Sequence, residues 1–122
     1  MSEELLDDLK VIEKADISVF QGIMDKNLSL GFDWRDYDKV VKIYDQGDCQ
    51  SSWAFTTSST LTSAMAIQNN QSATDLSISV QYIIDCDTYN RGCGRGLTWN
   101  AYNFLRRKGY FLWEEYGDYI GV

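Results

Sequence analysis

The sequence predicts one mostly α domain of three helices joined by loops, and three observations support it. The chain has 122 residues, 44% apolar and 24% charged, enough for one packed domain and too few for two of ordinary size. Three apolar groups follow one another at spacings that can line one side of a helix: Trp53, Ala54, Phe55, Leu61, Ala64, Met65 and Ile67; then Ile78, Val80, Ile83 and Ile84; then Leu97, Trp99, Ala101, Tyr102, Phe104 and Leu105. The third group runs into Arg106, Arg107 and Lys108 and then Gly109, cations in a last turn followed by the residue that most readily ends a helix. Four Trp, eight Tyr and five Phe supply the bulk for a core.

In chain order, residues 1–31 form an acidic extension. Leu5, Leu6, Leu9, Val11 and Ile12 give it a rough helical stripe over residues 2–14, which reads either as a short helix with acids near its N-terminal dipole or as a frayed acidic tail. After Gly22 and Gly31, residues 32–42 mix aromatics with alternating charge, as a loop does, and a short strand is expected around residues 40–44 before a sharp turn at Gly47. Residues 51–63 hold nine Ser and Thr in thirteen positions. Such hydroxyls compete for their own backbone and on propensity favour a loop. The apolar side from Trp53 onward nevertheless predicts a helix, with Ser51 or Ser52 as its cap.

Composition excludes several function classes. The formal charge is −7 and the basic cluster at Arg106, Arg107 and Lys108 is small, so nucleic acid is not an expected partner. No apolar stretch approaches the roughly 20 residues that cross a bilayer, and the start, MSEELLDDLK, lacks the basic end and apolar segment of a secretory signal. Histidine is absent, which removes both the usual near-neutral base and the nitrogen ligand of most zinc sites. Proline is absent too, and nothing in the sequence explains it. Cys49, Cys86 and Cys93 are one too many for a single bridge and, without His, too few for a four-ligand zinc cage, so no metal or cofactor is expected. Asn27-Leu28-Ser29 and Asn70-Gln71-Ser72 fit a glycosylation triplet that matters only in a secretory compartment. The acid pairs Glu114 with Glu115 and Asp85 with Asp87 read as solvated surface or helix ends rather than as a general acid and base.

Residues 46–55 read QGDCQSSWAF, which resembles the active-site segment of papain-like, cathepsin-like cysteine proteases, usually Q-G-x-C-G-S-C-W-A-F. The order of other segments agrees: FDWRDYDKV from Phe32, IIDCD from Ile83 and CGRGLTWNAYNFLRRKGY from Cys93 are each similar to family segments. The resemblance spans about residues 32–117 and implies the left, helical half of that α+β fold over residues 32–122. Gln46 then matches the amide that donates to an oxyanion. Cys49 and Cys93 match a disulfide pair tying the active-site helix to the substrate loop, a bridge suited to an oxidising compartment. Cys86 matches a cysteine whose family partner lies further along, and is left unpaired. Gly96 matches the glycine whose backbone pairs with extended substrate, while Arg95 stands where the family usually has a second glycine. Trp53 is counted with Gly96 and Arg95 among the substrate-binding positions while being expected to pack in the core beside the helix start, and Trp99 matches a buried aromatic of the third helix.

Ser52 occupies the position of the catalytic cysteine. A thiol there ionises near neutral pH, whereas a hydroxyl keeps its proton unless a base takes it, and the sequence holds no imidazole. Disabling such a nucleophile and base together costs about a million-fold, or roughly 8 kcal/mol of transition-state stabilisation. The resemblance therefore implies a catalytically inactive relative acting as a structural or protein-interaction subunit, its cleft face covered by another protein chain or by the residues before Phe32. The alternative is one piece of a split peptidase whose His and Asn come from another chain. A serine introduced to silence a thiol protease would look the same. The first 31 residues lack the helical signature of the family's inhibitory propeptide, so autoinhibition is not expected. Compartment stays open: the resemblance implies a lysosomal or secreted protein, while the missing signal suggests a cytosolic product or a processed fragment.

Overall fold

A computed structural model describes residues 31–122, and Asp33–Val122 forms a compact unit of its own. The acidic extension, its helix-or-tail alternative and the Asn27 triplet lie outside the described residues. Four α-helices follow in order: α1, Ser52–Asn69; α2, Val80–Cys86; α3, Thr98–Lys108; and α4, Trp113–Tyr116. Short 3-10 turns lie at Trp34–Tyr37 and Gly92–Gly94. Helix α1 packs against both α2 and α3, and α2 also meets α4.

The three expected helices are present, and α1 begins at Ser52 as its pattern predicts. Its inward face is not the one the apolar spacing suggests. Thr57, Ser58 and Thr62 are buried together with Trp53, Ala54 and Ala66, while Ala64 is exposed. Small hydroxyls can occupy this face because each finds a partner. Thr57 Oγ1 donates to Trp53 O at 2.8 Å, Ser58 Oγ donates to Ile78 O at 2.7 Å, and Thr62 Oγ1 accepts from Ile78 N at 3.1 Å. Two side chains of α1 thus satisfy both peptide groups of the fully buried Ile78. Thr62→Val keeps the shape but strands the Ile78 N–H, so a loss of about 2 kcal/mol is expected. It reads as a lower urea midpoint at unchanged slope, and a loss below about 0.5 kcal/mol would mean the N–H has another acceptor.

Helix α2 is capped by Ser79, whose hydroxyl accepts from Tyr82 N at 3.1 Å. Its residues Val80, Tyr82, Ile83 and Ile84 join Trp53, Ala101, Phe104 and Leu105 in one core cluster. Helix α3 stops where its chemistry predicts: Gly109 takes φ 81° and its N–H returns to Leu105 O. Trp99 departs from expectation, being 73% exposed rather than buried. The inward face of α3 is Ala101, Phe104 and Leu105, and Trp99 lies about 200° around the helix from Ala101.

Residues 40–44 do not form the expected strand, and the described residues contain no strand pair, only an isolated antiparallel bridge between Ile78 and Leu112. The segment is anchored by side chains instead of a ladder: Tyr44 stacks on Trp113 with ring centres 4.6 Å apart and contacts Phe55 at 5.9 Å. Helix α4, one turn long, is too short for periodicity to reveal. Glu115 holds it by accepting from Leu112 N at 2.8 Å.

Candidate functional site

The site is built around the start of α1. The disulfide between Cys49 and Cys93 joins the approach to this helix to the loop before α3, and Gln50 N adds a hydrogen bond to Cys93 O at 3.1 Å. Ser51 occupies the cap position, but its hydroxyl makes no capping bond. It lies instead 2.8 Å from the Tyr119 hydroxyl, which donates to Gln46 O at 2.6 Å. A single phenol therefore ties the Gln46 backbone to the residue before Ser52, and its ring packs edge-on against Phe55 of α1 at 4.8 Å. Nothing in the spacing of the sequence points to Tyr119.

Ser52 is exposed as the first residue of α1, and its hydroxyl makes no hydrogen bond among the described residues. Gln46 is half-buried and its side-chain amide is likewise unspent among them. An amide donor and the positive end of an eighteen-residue helix can stabilise an anion. No described group stands hydrogen-bonded to Ser52 to take its proton.

The second wall is the loop from Asp87 to Leu97. Asp87 is buried, and its carboxylate accepts from Tyr89 N at 2.9 Å and from Asn90 Nδ2 at 2.6 Å. The other end of the Asn90 amide accepts from Leu97 N at 2.8 Å, so two side chains hold the loop closed. Gly96 lies flat against the Trp53 indole. A Cβ there would come within 2.5 Å of Trp53 Cδ2 and 2.8 Å of Asn90 Cγ. Trp53 is only 5% exposed and donates through Nε1 to Gly92 O at 3.3 Å, so it supports this wall from behind. In front is an open groove of about 290 Å³ lined by Tyr89, Asn90, Arg91, Arg95, Gly96 and Leu97.

Gln46, Cys49, Ser52, Trp53, Cys93 and Gly96 are thus brought together, with Arg95 on the rim. Cys86 is elsewhere, free and exposed, with Sγ 3.9 Å from the Tyr116 hydroxyl. Tyr116 donates to Asp85 at 2.8 Å, and that carboxylate pushes the phenol's pKa up. Three of the four residues in the two acid pairs have structural partners: Asp85 with Gln81 and Tyr116, Asp87 with the loop, and Glu115 with the start of α4. Among the described residues no three His, Cys, Asp or Glu gather as a metal site, and no helix is long and apolar enough to cross a membrane.

Residues 28–121 match the papain family of cysteine proteases. The viral cathepsin of Lymantria dispar multicapsid nuclear polyhedrosis virus is 39% identical over 80 residues, 66% of this chain and 22% of the relative. That of Autographa californica nuclear polyhedrosis virus is 40% identical over 80 residues, 66% of this chain and 24% of its own length. Among solved structures, digestive procathepsin L2 from the larval midgut of Tenebrio molitor superposes with a TM-score of 0.69 at 30% identity, covering 80% of this chain and 31% of that one. A recombinant stem bromelain precursor superposes at 0.65 and 28% identity, over 75% of this chain and 29% of the other. The chain thus spans about a quarter of the length of the curated relatives it matches.

Proposed function

The chain belongs to the papain family of cysteine proteases, and from that membership we propose that it is a catalytically inactive homologue whose cleft wall holds another protein rather than cutting it. One observation carries the reading: a serine stands at the start of α1 where the family motif has its nucleophile, and the 122 residues contain no histidine. A serine hydroxyl at neutral pH is protonated, and neither the helix dipole nor the Gln46 amide removes that proton. What remains is a binding surface, with Gln46 and Ser52 at its centre and Gly96 presenting backbone to an extended segment.

The partner we propose is another protein chain covering the cleft face around Gln46, Ser52 and Gly96. The exposed side of α1 adds apolar surface to the chain: Val40 and Ile67 are 41% and 39% exposed beside the small side chains Thr56, Ser59, Thr60 and Ser63, and Ile43 is 99% exposed. The bridge between Cys49 and Cys93 suits a lysosomal or secreted setting. The unspent Gln46 amide favours one second reading, a split peptidase whose His and Asn another chain supplies.

A peptidase and esterase assay of the purified chain, alone and with co-purifying proteins, separates the two. No turnover is expected, and fluorophosphonate should leave Ser52 unlabelled. In Ser52→Cys the start of α1 should draw the thiol below the ordinary cysteine value of about 8.5, but with no imidazolium paired to it the pH dependence of alkylation should stay well above that of a cysteine–histidine ion pair. Ester turnover by the native assembly that disappears in Ser52→Ala would replace the binding reading with the split enzyme.

A further inference from the structure

We propose that the groove beside Gly96 selects an acidic peptide segment, with Arg91 and Arg95 reading its carboxylates; this deepens the binding role argued above and rests on it. The charge distribution is the first reason. The chain carries −7 overall, yet residues 88–113 contain Arg91, Arg95, Arg106, Arg107 and Lys108 and no Asp or Glu. Folding gathers part of this segment on one groove. Arg91 N donates to Arg95 O at 3.0 Å, which closes the turn and sets both residues on the same rim with Tyr89, Gly96 and Leu97. Behind them Arg107 Nη1 donates to the Tyr89 hydroxyl at 3.1 Å with its guanidinium over that ring, so the Tyr89 wall is itself backed by a cation.

The two rim arginines are unspent: neither side chain has a hydrogen bond or ion pair among the described residues, whereas the exposed Arg35 is clamped to Asp33. Arg95 also sits at φ 157° and ψ 170°, a region glycine enters freely and other residues seldom do. The loop thus keeps a long cationic side chain at a position whose backbone would relax with glycine. Guanidinium groups pair with carboxylates in a forked geometry. Gly96, between Arg95 and the hydrogen-bonded Leu97, takes part in none of the loop's backbone bonds and leaves its N–H and C=O for an extended chain. A peptide fits these features better than a nucleic acid, because the acidic remainder of the molecule repels a polyanion longer than the groove.

Fluorescence anisotropy of the full chain with short extended peptides tests this, the probes differing only in a central Glu, Gln or Lys. The Glu peptide should bind about fivefold more tightly than the Gln peptide, and the preference should shrink as salt rises. Arg91→Gln with Arg95→Gly should abolish the difference between the Glu and Gln peptides, whatever it does to the affinity the two share. Arg91→Glu should move the preference toward Lys. Equal binding of Glu and Gln peptides by the native chain would overturn the selectivity while leaving the binding role standing. No binding of any peptide, at any accessible concentration, would overturn both. A heparin oligosaccharide or short DNA duplex that displaces the Glu peptide at equal charge concentration would make the patch a general polyanion site and overturn the proposal.

Discussion

Gly96→Ala is expected to destabilise the domain by about 3 kcal/mol and lower its thermal midpoint by roughly 10–20 °C. The added methyl would lie 2.5 and 2.6 Å from two atoms of the Trp53 indole and 2.8 Å from Asn90 Cγ. Neither neighbour can retreat cheaply. Trp53 is buried in the core with its Nε1 bonded to Gly92 O, and the Asn90 amide holds the loop through Leu97 and Asp87. The lower unfolded-state entropy of alanine favours the variant by only about 0.4–1 kcal/mol, too little to offset the overlap. Urea denaturation of the single variants and of Gly96→Ala combined with Trp53→Leu checks the cause. In the Trp53→Leu background the methyl should cost less than about 1 kcal/mol, because the smaller side chain leaves room. A full cost in both backgrounds would locate the strain in the backbone instead.

Replacing both Cys49 and Cys93 by alanine is expected to remove about 4 kcal/mol in the chain-entropy account, since the bridge spans 44 residues. That is a large share of the roughly 5–15 kcal/mol that holds an ordinary domain. The functional consequence follows from what the bridge joins. It ties the approach to α1, with Gln46 and Ser52, to the loop with Arg95 and Gly96, so its loss removes the covalent link between the two walls of the candidate site. The measurement compares urea unfolding of the oxidised chain, the reduced chain and the double variant, all with Cys86→Ser so that the exposed thiol cannot exchange. The reduced chain and the variant should coincide. A variant within about 1 kcal/mol of the oxidised protein would mean that packing alone holds the walls together.

Much of the fold was legible because its signals are local. The start of α1 follows from the apolar group behind Ser52, and the end of α3 from three cations and a glycine. The pairing of Cys49 with Cys93 was legible only through the family resemblance, since three cysteines alone leave several choices. Other features were hidden. The inward face of α1 carries Thr57, Ser58 and Thr62, which no hydrophobicity pattern marks as core, because their burial depends on the peptide groups of Ile78. Trp99 misled in the opposite sense: a large aromatic in an apolar run, turned outward by the phase of its helix. Residues 40–44 have the composition of a strand, but a strand needs a neighbour, and here aromatic stacking on Trp113 holds the segment instead.

The sequence by itself determined the helical class, the identity of the residue that stands where the family motif has its nucleophile and the lack of histidine within these 122 residues, because these depend on composition and on contacts within a few residues. Only the tertiary structure decided that Tyr119 ties Gln46 to the start of α1, that Gly96 must lack a side chain to lie on Trp53, and that Arg91 and Arg95 share one rim. Each of those joins residues through space in a way that depends on where loops close, and loop closure is set by the whole packed core rather than by any short stretch of the chain.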